Sequence, residues 1–361
     1  MSYLKTIFGV TGFFVLTIAG VNFMANPLGM YNPPLIKGFN DVYPAGAVYS
    51  RLEKSEAVKR LKPDVIITGS SRADIGLDPR PEYFPGMTAY DFGLPASSIN
   101  EQRKTLELAE AVHPLKEVII TLDSFCFDGR KLENKQFDPV RMSPEAVSSP
   151  VRSFYETYNT LVSLDMMIAS IKNMRYIRHL DRNSYSEPNG HKIVNDIIYN
   201  ISINGAGSLF EHPVVTGTTV DNLDASYSDV PGDTTYKHLQ AMLDLARQHN
   251  IKVILLISPT HFDDYKKTPQ QAVEQEWKKH IVEVVRSNGA RYGEKPYPLW
   301  DFDYPNSLTT EPIPAAGDKK TPVKWFWDGG HYKTALGDII FSKILDLKGN
   351  DKYPDFGKKL D

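Results

Sequence analysis

The chain opens on an unbroken apolar stretch. No charged residue falls between Lys5 and Lys37, and residues 7–25 (IFGVTGFFVLTIAGVNFMA) read as one hydrophobic helix. At about 1.5 Å per residue, that helix spans roughly 28 Å, the thickness of a bilayer's hydrocarbon core. Beyond it the pattern changes to short apolar runs divided by polar turns. Residues 64–68 (DVIIT), 88–92 (TAYDF), 117–122 (EVIITL), 252–258 (KVILLIS) and 299–302 (LWDF) predict five strands. The Val/Ile/Leu runs do not alternate with polar residues, which suits parallel strands covered on both faces. Helical spacing fills the gaps. Residues 98–112 place Leu106, Ala109 and Val112 on one face, and residues 235–249 do the same with Leu239, Met242, Leu243 and Ala246. Further helical patterns cover 269–287 and 334–347. Strands alternating with helices predict an α/β fold, a three-layer sandwich around a parallel sheet.

Two stretches break this rhythm. Residues 26–37 (NPLGMYNPPLIK) are rich in proline and predict an extended linker, running to about residue 50. From about 124 to 234 no strand run occurs. One helix is predicted over 153–171, followed by a stretch rich in Asn, Ser, Gly and Asp. This reads as a long segment inserted into a domain spanning 51–361.

The apolar start has two competing readings besides a buried core helix. A cleaved signal peptide wants a shorter apolar region and a small-x-small site. Here the stretch ends Phe23-Met24-Ala25, a poor cleavage site, so an uncleaved anchor over residues 1–25 is expected. Lys5 and the amino terminus are its only positive flank, which predicts N-in, C-out topology and a domain outside the cytoplasm, in the periplasm. Asn22, near the outer end, is placed to reach the headgroups.

Composition narrows the function classes. Lys and Arg number 41 against 44 Asp and Glu, a net charge of −3, which argues against nucleic-acid binding. Mean hydropathy of −0.34 excludes a multi-span membrane protein. The single cysteine, Cys126, excludes an internal disulfide and a cysteine-based zinc finger. No His-Glu-x-x-His, Walker loop or Gly-x-Gly-x-x-Gly is present, so no metal and no cofactor is expected.

The candidate chemistry lies at two distant points. The first strand ends Thr68-Gly69-Ser70-Ser71-Arg72, and catalytic groups of open α/β sheets gather at the carboxyl ends of strands. Near the other end, Trp327-Asp328-Gly329-Gly330-His331-Tyr332 precedes the last helical pattern. A nucleophilic serine needs a base, and the base needs a carboxylate on its other ring nitrogen. Asp328 and His331 can supply both from one turn, with Gly329 and Gly330 permitting the bend. Taken singly, each motif is also what a turn or helix cap looks like.

Together, Gly-x-Ser after the first strand and Asp-x-x-His before the last helix resemble the SGNH (GDSL-type) hydrolase superfamily. The Gly69-Ser70-Ser71-Arg72 variant behind one anchor resembles its cell-envelope branch, which includes alginate O-acetyltransferase-like and D-alanyl transfer proteins. The resemblance implies Ser71 as nucleophile, His331 as base and Asp328 as orienting acid. It also aligns Tyr90–Ser97 with the family's second block, whose Gly offers an oxyanion N–H; Ala96 takes that place, with Gly93 in the same turn. The third block normally carries an oxyanion-binding Asn. Here the strand ends Leu122-Asp123-Ser124-Phe125, and the Asn is absent. The rival motif, Gly-x-Ser-x-Gly of α/β-hydrolases, follows several strands and separates its acid from its histidine, unlike this arrangement.

Six further residues carry two readings each. Arg72 pairs with a carboxylate such as Asp91 or Asp123, or binds an anionic group of substrate. His261, just past the fourth strand, makes a local hydrogen bond or contacts substrate. The aromatic residues Trp300, Trp325, Phe326 and Trp327 pack the core or stack on sugar rings. The expectation is therefore a membrane-anchored, extracytoplasmic serine esterase or O-acyltransferase. Its substrate would be an envelope or secreted polysaccharide, and a membrane-bound acyltransferase is a potential partner. The alternatives are a non-catalytic polysaccharide-binding or assembly protein of the same fold, and a lipid or lipoprotein esterase.

Overall fold

A computed structural model describes residues 2–31, 33–44, 50–130, 134–147, 149–211, 223, 234–262, 271–348 and 352–360. The chain begins with helix α1 (Ser2–Ala25), whose stretch Tyr3–Ala25 is long and apolar enough to cross a membrane. Helix α2 (Ser50–Leu61) leads into strand β1 (Val65–Gly69), the short helix α3 (Ser71–Gly76) and strand β2 (Ala89–Gly93). Helix α4 (Ile99–Val112) and strand β3 (Glu117–Leu122) follow. Helices α5 (Pro150–Leu161), α6 (Leu164–Ile177) and α7 (Asn195–Asn204) occupy the next segment. The chain then returns to the sheet through α8 (Thr235–His249), β4 (Lys252–Ile257), α9 (Gln271–Tyr292), β5 (Leu299–Asp301), α10 (Thr334–Ile344) and β6 (Lys358–Lys359).

The sheet has six strands in the order β2-β1-β3-β4-β5-β6. Every pairing is parallel except the last, where β6 runs antiparallel to β5. Side-chain alternation sends Ile66, Phe92, Val118, Ile120 and Leu255 into one apolar cluster with α4, α8 and α9. Val65, Ile67, Ile119, Ile254 and Leu256 enter a second cluster with α3 and α10. Helices thus cover both faces, which is why these strands carry no polar alternation. The α/β architecture follows the sequence pattern closely, and because β1 to β5 run parallel their carboxyl ends lie at one edge.

Four local features differ from the sequence reading. Residues 153–171 do not form one helix: Ser163 accepts hydrogen bonds from the Asp165 and Met166 amides and starts a second helix, α6. The described part of the 26–50 segment is not extended but tied down. Asn26 hydrogen-bonds Tyr31 through both ends of its amide, and Asn40 Nδ2 donates to the Met24 and Pro34 carbonyls. Tyr43–Pro44 pairs with Tyr185–Ser186, which pairs with Lys192–Ile193, making a small antiparallel ribbon. Asn22 is buried against protein rather than directed at headgroups. Positions 45–49 of the linker, 269–270 of the helix predicted over 269–287, and parts of 124–234 lie outside the described residues.

A buried charge cluster fastens α3 to the sheet. Lys54 of α2 donates to Asp74 Oδ1 (2.6 Å) and to the Asp91 carbonyl (3.0 Å), with Asp91 Oδ1 at 3.9 Å. All three side chains are almost fully buried. Burial works against the Lys54 charge, but Asp74 and Asp91 outweigh it and raise its pKa. Burial pushes the Asp91 carboxyl up, offset in part by Lys54. Methionine at position 54 keeps the stem's volume and leaves two buried carboxylates without their cation. Lys54→Met is expected to destabilise the protein by about 3–5 kcal/mol, read as a lower urea midpoint at unchanged m-value.

Candidate active site

Ser71 is the first residue of α3, directly after β1 and a turn. The turn is tight because Gly69 has no Cβ; one added there would overlap the Thr121 hydroxyl of β3. Ser70 caps the helix, its Oγ accepting from the Arg72 amide at 3.2 Å. Ser70 also donates to Asp123 Oδ2 at 2.5 Å, so this serine faces inward and Ser71 faces outward.

Ser71 Oγ lies 2.9 Å from His331 Nε2. His331 Nδ1 lies 2.9 Å from Asp328 Oδ2 and 3.1 Å from Oδ1. A carboxylate only accepts, so the ring proton belongs on Nδ1 and the Nε2 lone pair meets the serine hydroxyl. Asp328 Oδ1 further accepts from the Gly330 and His331 amides at 2.8 and 2.7 Å. Burial alone would raise the Asp328 carboxyl; the His331 hydrogen bond and these amides outweigh it and hold it below the usual carboxylate range. Asp328 is therefore ionised at neutral pH. Both His331 and Asp328 keep about a fifth to a quarter of their side-chain surface open, at 25% and 22%. Ser71, His331 and Asp328 thus meet across 260 residues of chain, in a place solvent can reach.

The loop carrying Asp328 and His331 is itself held from several sides. The Trp327 amide donates to the His331 carbonyl at 2.8 Å, and Phe326 bridges to Tyr332, which closes a hairpin with Asp328–Gly330 at its tip. Glu311 accepts from the Trp325 and Phe326 amides at 2.7 and 3.0 Å. The buried Tyr332 ring lies against Gly76 at the end of α3, where a Cβ would overlap it. Gly337 of α10 approaches the Gly76 carbonyl in the same way. These two glycines let α10 and the hairpin close onto the serine helix. Neither Glu311 nor the Gly76–Gly337 approach carries a motif that sequence reading could have found.

Other residues singled out above fall into distinct places. Arg72 donates from Nη1 to Asp123 Oδ1 (3.1 Å) and its guanidinium lies over the Phe125 ring, 5.3 Å from the centroid. Of its two readings the structure has the carboxylate pair, with Asp123 and not Asp91 as partner; the buried Arg72 is not presented to a substrate anion. Asp123, in place of an oxyanion-binding Asn, is an acceptor already holding Ser70 and Arg72. The Gly93 amide is also engaged, donating to Asp91 Oδ1 at 2.7 Å, so it is not a free oxyanion donor; this corrects its assignment to that role. Glycine is needed there because a Cβ would sit 2.6 Å from the Asp74 amide nitrogen. His261 is corrected likewise. Fully buried, it donates from Nε2 to the Glu311 carbonyl (2.8 Å) and from its amide to the Gly329 carbonyl (2.9 Å), between Phe210 and Phe326. It supports the Asp-x-x-His loop and has no open surface to offer a substrate.

Ala96 stands apart. It is exposed and has φ of +52°, the left-handed region that favours glycine. Its turn is fastened to Gly69: the Leu94 amide and Ser97 Oγ both donate to the Gly69 carbonyl, at 2.9 and 3.1 Å. The turn carrying Ala96 is therefore anchored two residues from Ser71. The Ser71 amide, at the first position of its helix, has no intrahelical acceptor. Two backbone donors are thus carried on segments adjoining the serine.

No protein-family model matches this chain, and no curated protein matches it. Among the described residues, one group could hold a metal ion: Asp78, Glu187 and His191 each offer a ligand atom, all within 4.8 Å of one another. Sequence spacing gave no sign of it, since Asp78 and His191 meet only when the ribbon folds against α3.

Proposed function

We propose that this protein is a serine esterase or O-acyltransferase of SGNH type, anchored in the cell membrane by α1. Its domain would lie outside the cytoplasm and act on an envelope or secreted polysaccharide. The observation that carries this reading is the hydrogen-bonded line Ser71–His331–Asp328. In the proposed reaction Ser71 Oγ attacks an acyl carbonyl while His331 Nε2 takes its proton. Asp328 holds the ring and stabilises the imidazolium. The negative oxygen of the tetrahedral intermediate is met by backbone N–H groups, those of Ser71 and Ala96 being the candidates. His331 returns the proton to the departing alcohol, leaving acyl-Ser71. Water or a sugar hydroxyl, deprotonated by His331, then takes the acyl group, and His331 passes that proton to the departing Ser71 Oγ. Partly exposed Trp327, beside Asp328, offers an aromatic face suited to a sugar ring. A membrane-bound acyltransferase is the natural donor-side partner for an anchored enzyme that transfers rather than hydrolyses.

A second reading, a non-catalytic polysaccharide-binding or assembly protein, is favoured by one observation: Asp123 replaces the side-chain oxyanion donor. Labelling separates the two. Full-length protein treated with a fluorophosphonate is expected to carry one adduct on Ser71, lost in His331→Ala. Absence of the adduct from the unmodified protein would favour the assembly reading.

A further inference from the structure

The outer end of α1 is buried by the hairpin of α5 and α6. Asn22 Nδ2 donates to the Leu161 and Ser163 carbonyls at 2.8 and 3.0 Å and to Thr160 at 3.3 Å, and its Oδ1 accepts from Ser170 at 3.1 Å. The hairpin's turn is therefore fixed at the level of Asn22. That level is less than one helical turn inside Ala25, where the apolar stretch ends. At about 1.5 Å per residue, the turn sits roughly 4–5 Å below the end of the spanning segment. That is close to the shallow end of the roughly 5–10 Å to which interfacial helices bury their apolar faces.

The hairpin's surface matches such a depth. Ser170, Asn173 and Ile177 of α6 face inward and are buried, whereas Leu164, Ile168 and Ile171 form an exposed stripe at helical spacing, 59, 48 and 40% open. On α5, Phe154, Tyr155 and Tyr158 are also exposed, and Phe154 stacks on Tyr158. Large apolar groups exposed on two helices that both pack against α1 are costly in water. Tyrosine at a lipid–water boundary keeps its ring in the apolar zone and its hydroxyl wet. Past the α6 stripe come Lys172 and Arg175, both exposed, where cations can meet phosphate headgroups.

We propose that the α5–α6 hairpin is a second membrane contact, its Phe154/Tyr155/Tyr158 and Leu164/Ile168/Ile171 faces seated in the outer leaflet of the bilayer. The inference rests on reading α1 as a membrane anchor. It gives the domain two points of attachment, so that the domain is held at a set height and tilt rather than swinging on a tether.

The test uses the full chain in phosphatidylethanolamine/phosphatidylglycerol vesicles containing a phospholipid with a diazirine in its acyl chain. After irradiation, peptides are mapped by mass spectrometry. Adducts are expected on 3–25 and on 154–171, the latter about ten-fold above the solvent-facing side of α9. Adducts on 3–25 with none above the α9 level on 154–171 would overturn the hairpin contact and leave the anchor standing. That is also the result expected if a protein covers these faces instead. No adducts on either segment would overturn both.

Discussion

Turnover of 4-nitrophenyl acetate by the full-length protein is expected to fall by about 10⁴-fold or more in Ser71→Ala. The size follows from what is lost. Without Oγ there is no nucleophile 2.9 Å from His331 Nε2, so the acyl group cannot be transferred to the protein at all. What survives is the stabilisation that bound ester receives from nearby backbone donors, which is small against covalent catalysis. The neighbouring serine supplies the control. Ser70 is buried, caps α3 and hydrogen-bonds Asp123, so Ser70→Ala removes a cap and a buried hydrogen bond without touching the relay. Its cost is about 1–2 kcal/mol of stability and a comparatively small loss of rate. Steady-state kinetics on both variants, with melting curves, checks the contrast. Full activity in Ser71→Ala would eliminate the proposed mechanism.

Asp328→Asn is expected to lower kcat by about 10⁴-fold with little change in KM. The two atoms facing His331 Nδ1 are carboxylate oxygens, and the group is held ionised by its hydrogen bonds to His331 and to two amides. An amide in the same space can turn its NH₂ toward Nδ1. The ring then carries its proton on Nε2, pointing at Ser71, and can no longer accept one. The imidazolium that forms during attack also loses its counter-charge. Because the Asn oxygen can still take the Gly330 and His331 amides, the loop should keep its shape, and the loss should appear in the chemical step. A variant within ten-fold of the parent protein would remove Asp328 from the relay.

The strands were legible because each is buried on both faces. The runs at 64–68 and 88–92 appear one residue later, as Val65–Gly69 and Ala89–Gly93, and Glu117–Leu122 appears unshifted. Helix α8 likewise matches its apolar spacing from end to end. Helix α2 was not legible: its buried positions include Arg51, Glu53 and Lys54, so no apolar face marks it. Strand β6, Lys358–Lys359, is too short to show a period. Ser163 split a predicted helix because a cap depends on one hydroxyl and its local backbone, and periodicity is blind to both.

The site divides in the same way. Gly69, Ser71, Asp328 and His331 stand out because their chemistry and spacing are local: a tight turn after a strand, and an acid three residues before a histidine. Arg72, Asp123 and His261 are polar residues at the same sheet edge, and sequence leaves each with two readings. Tertiary structure separates them by burial and partner, giving Arg72 to Asp123 and enclosing His261 between two phenylalanines.

By itself, then, the sequence determined what is periodic or contiguous: the apolar N-terminal helix, the α/β alternation, and two short motifs with the elements of a serine relay. Only the tertiary structure decided how closely the two motifs meet, which polar groups are spent on holding the turn, and where the segment after β3 docks. Those outcomes depend on contacts between residues far apart in the chain, as Ser71 and His331 or Asn22 and Leu161 are, and no local pattern encodes such a meeting.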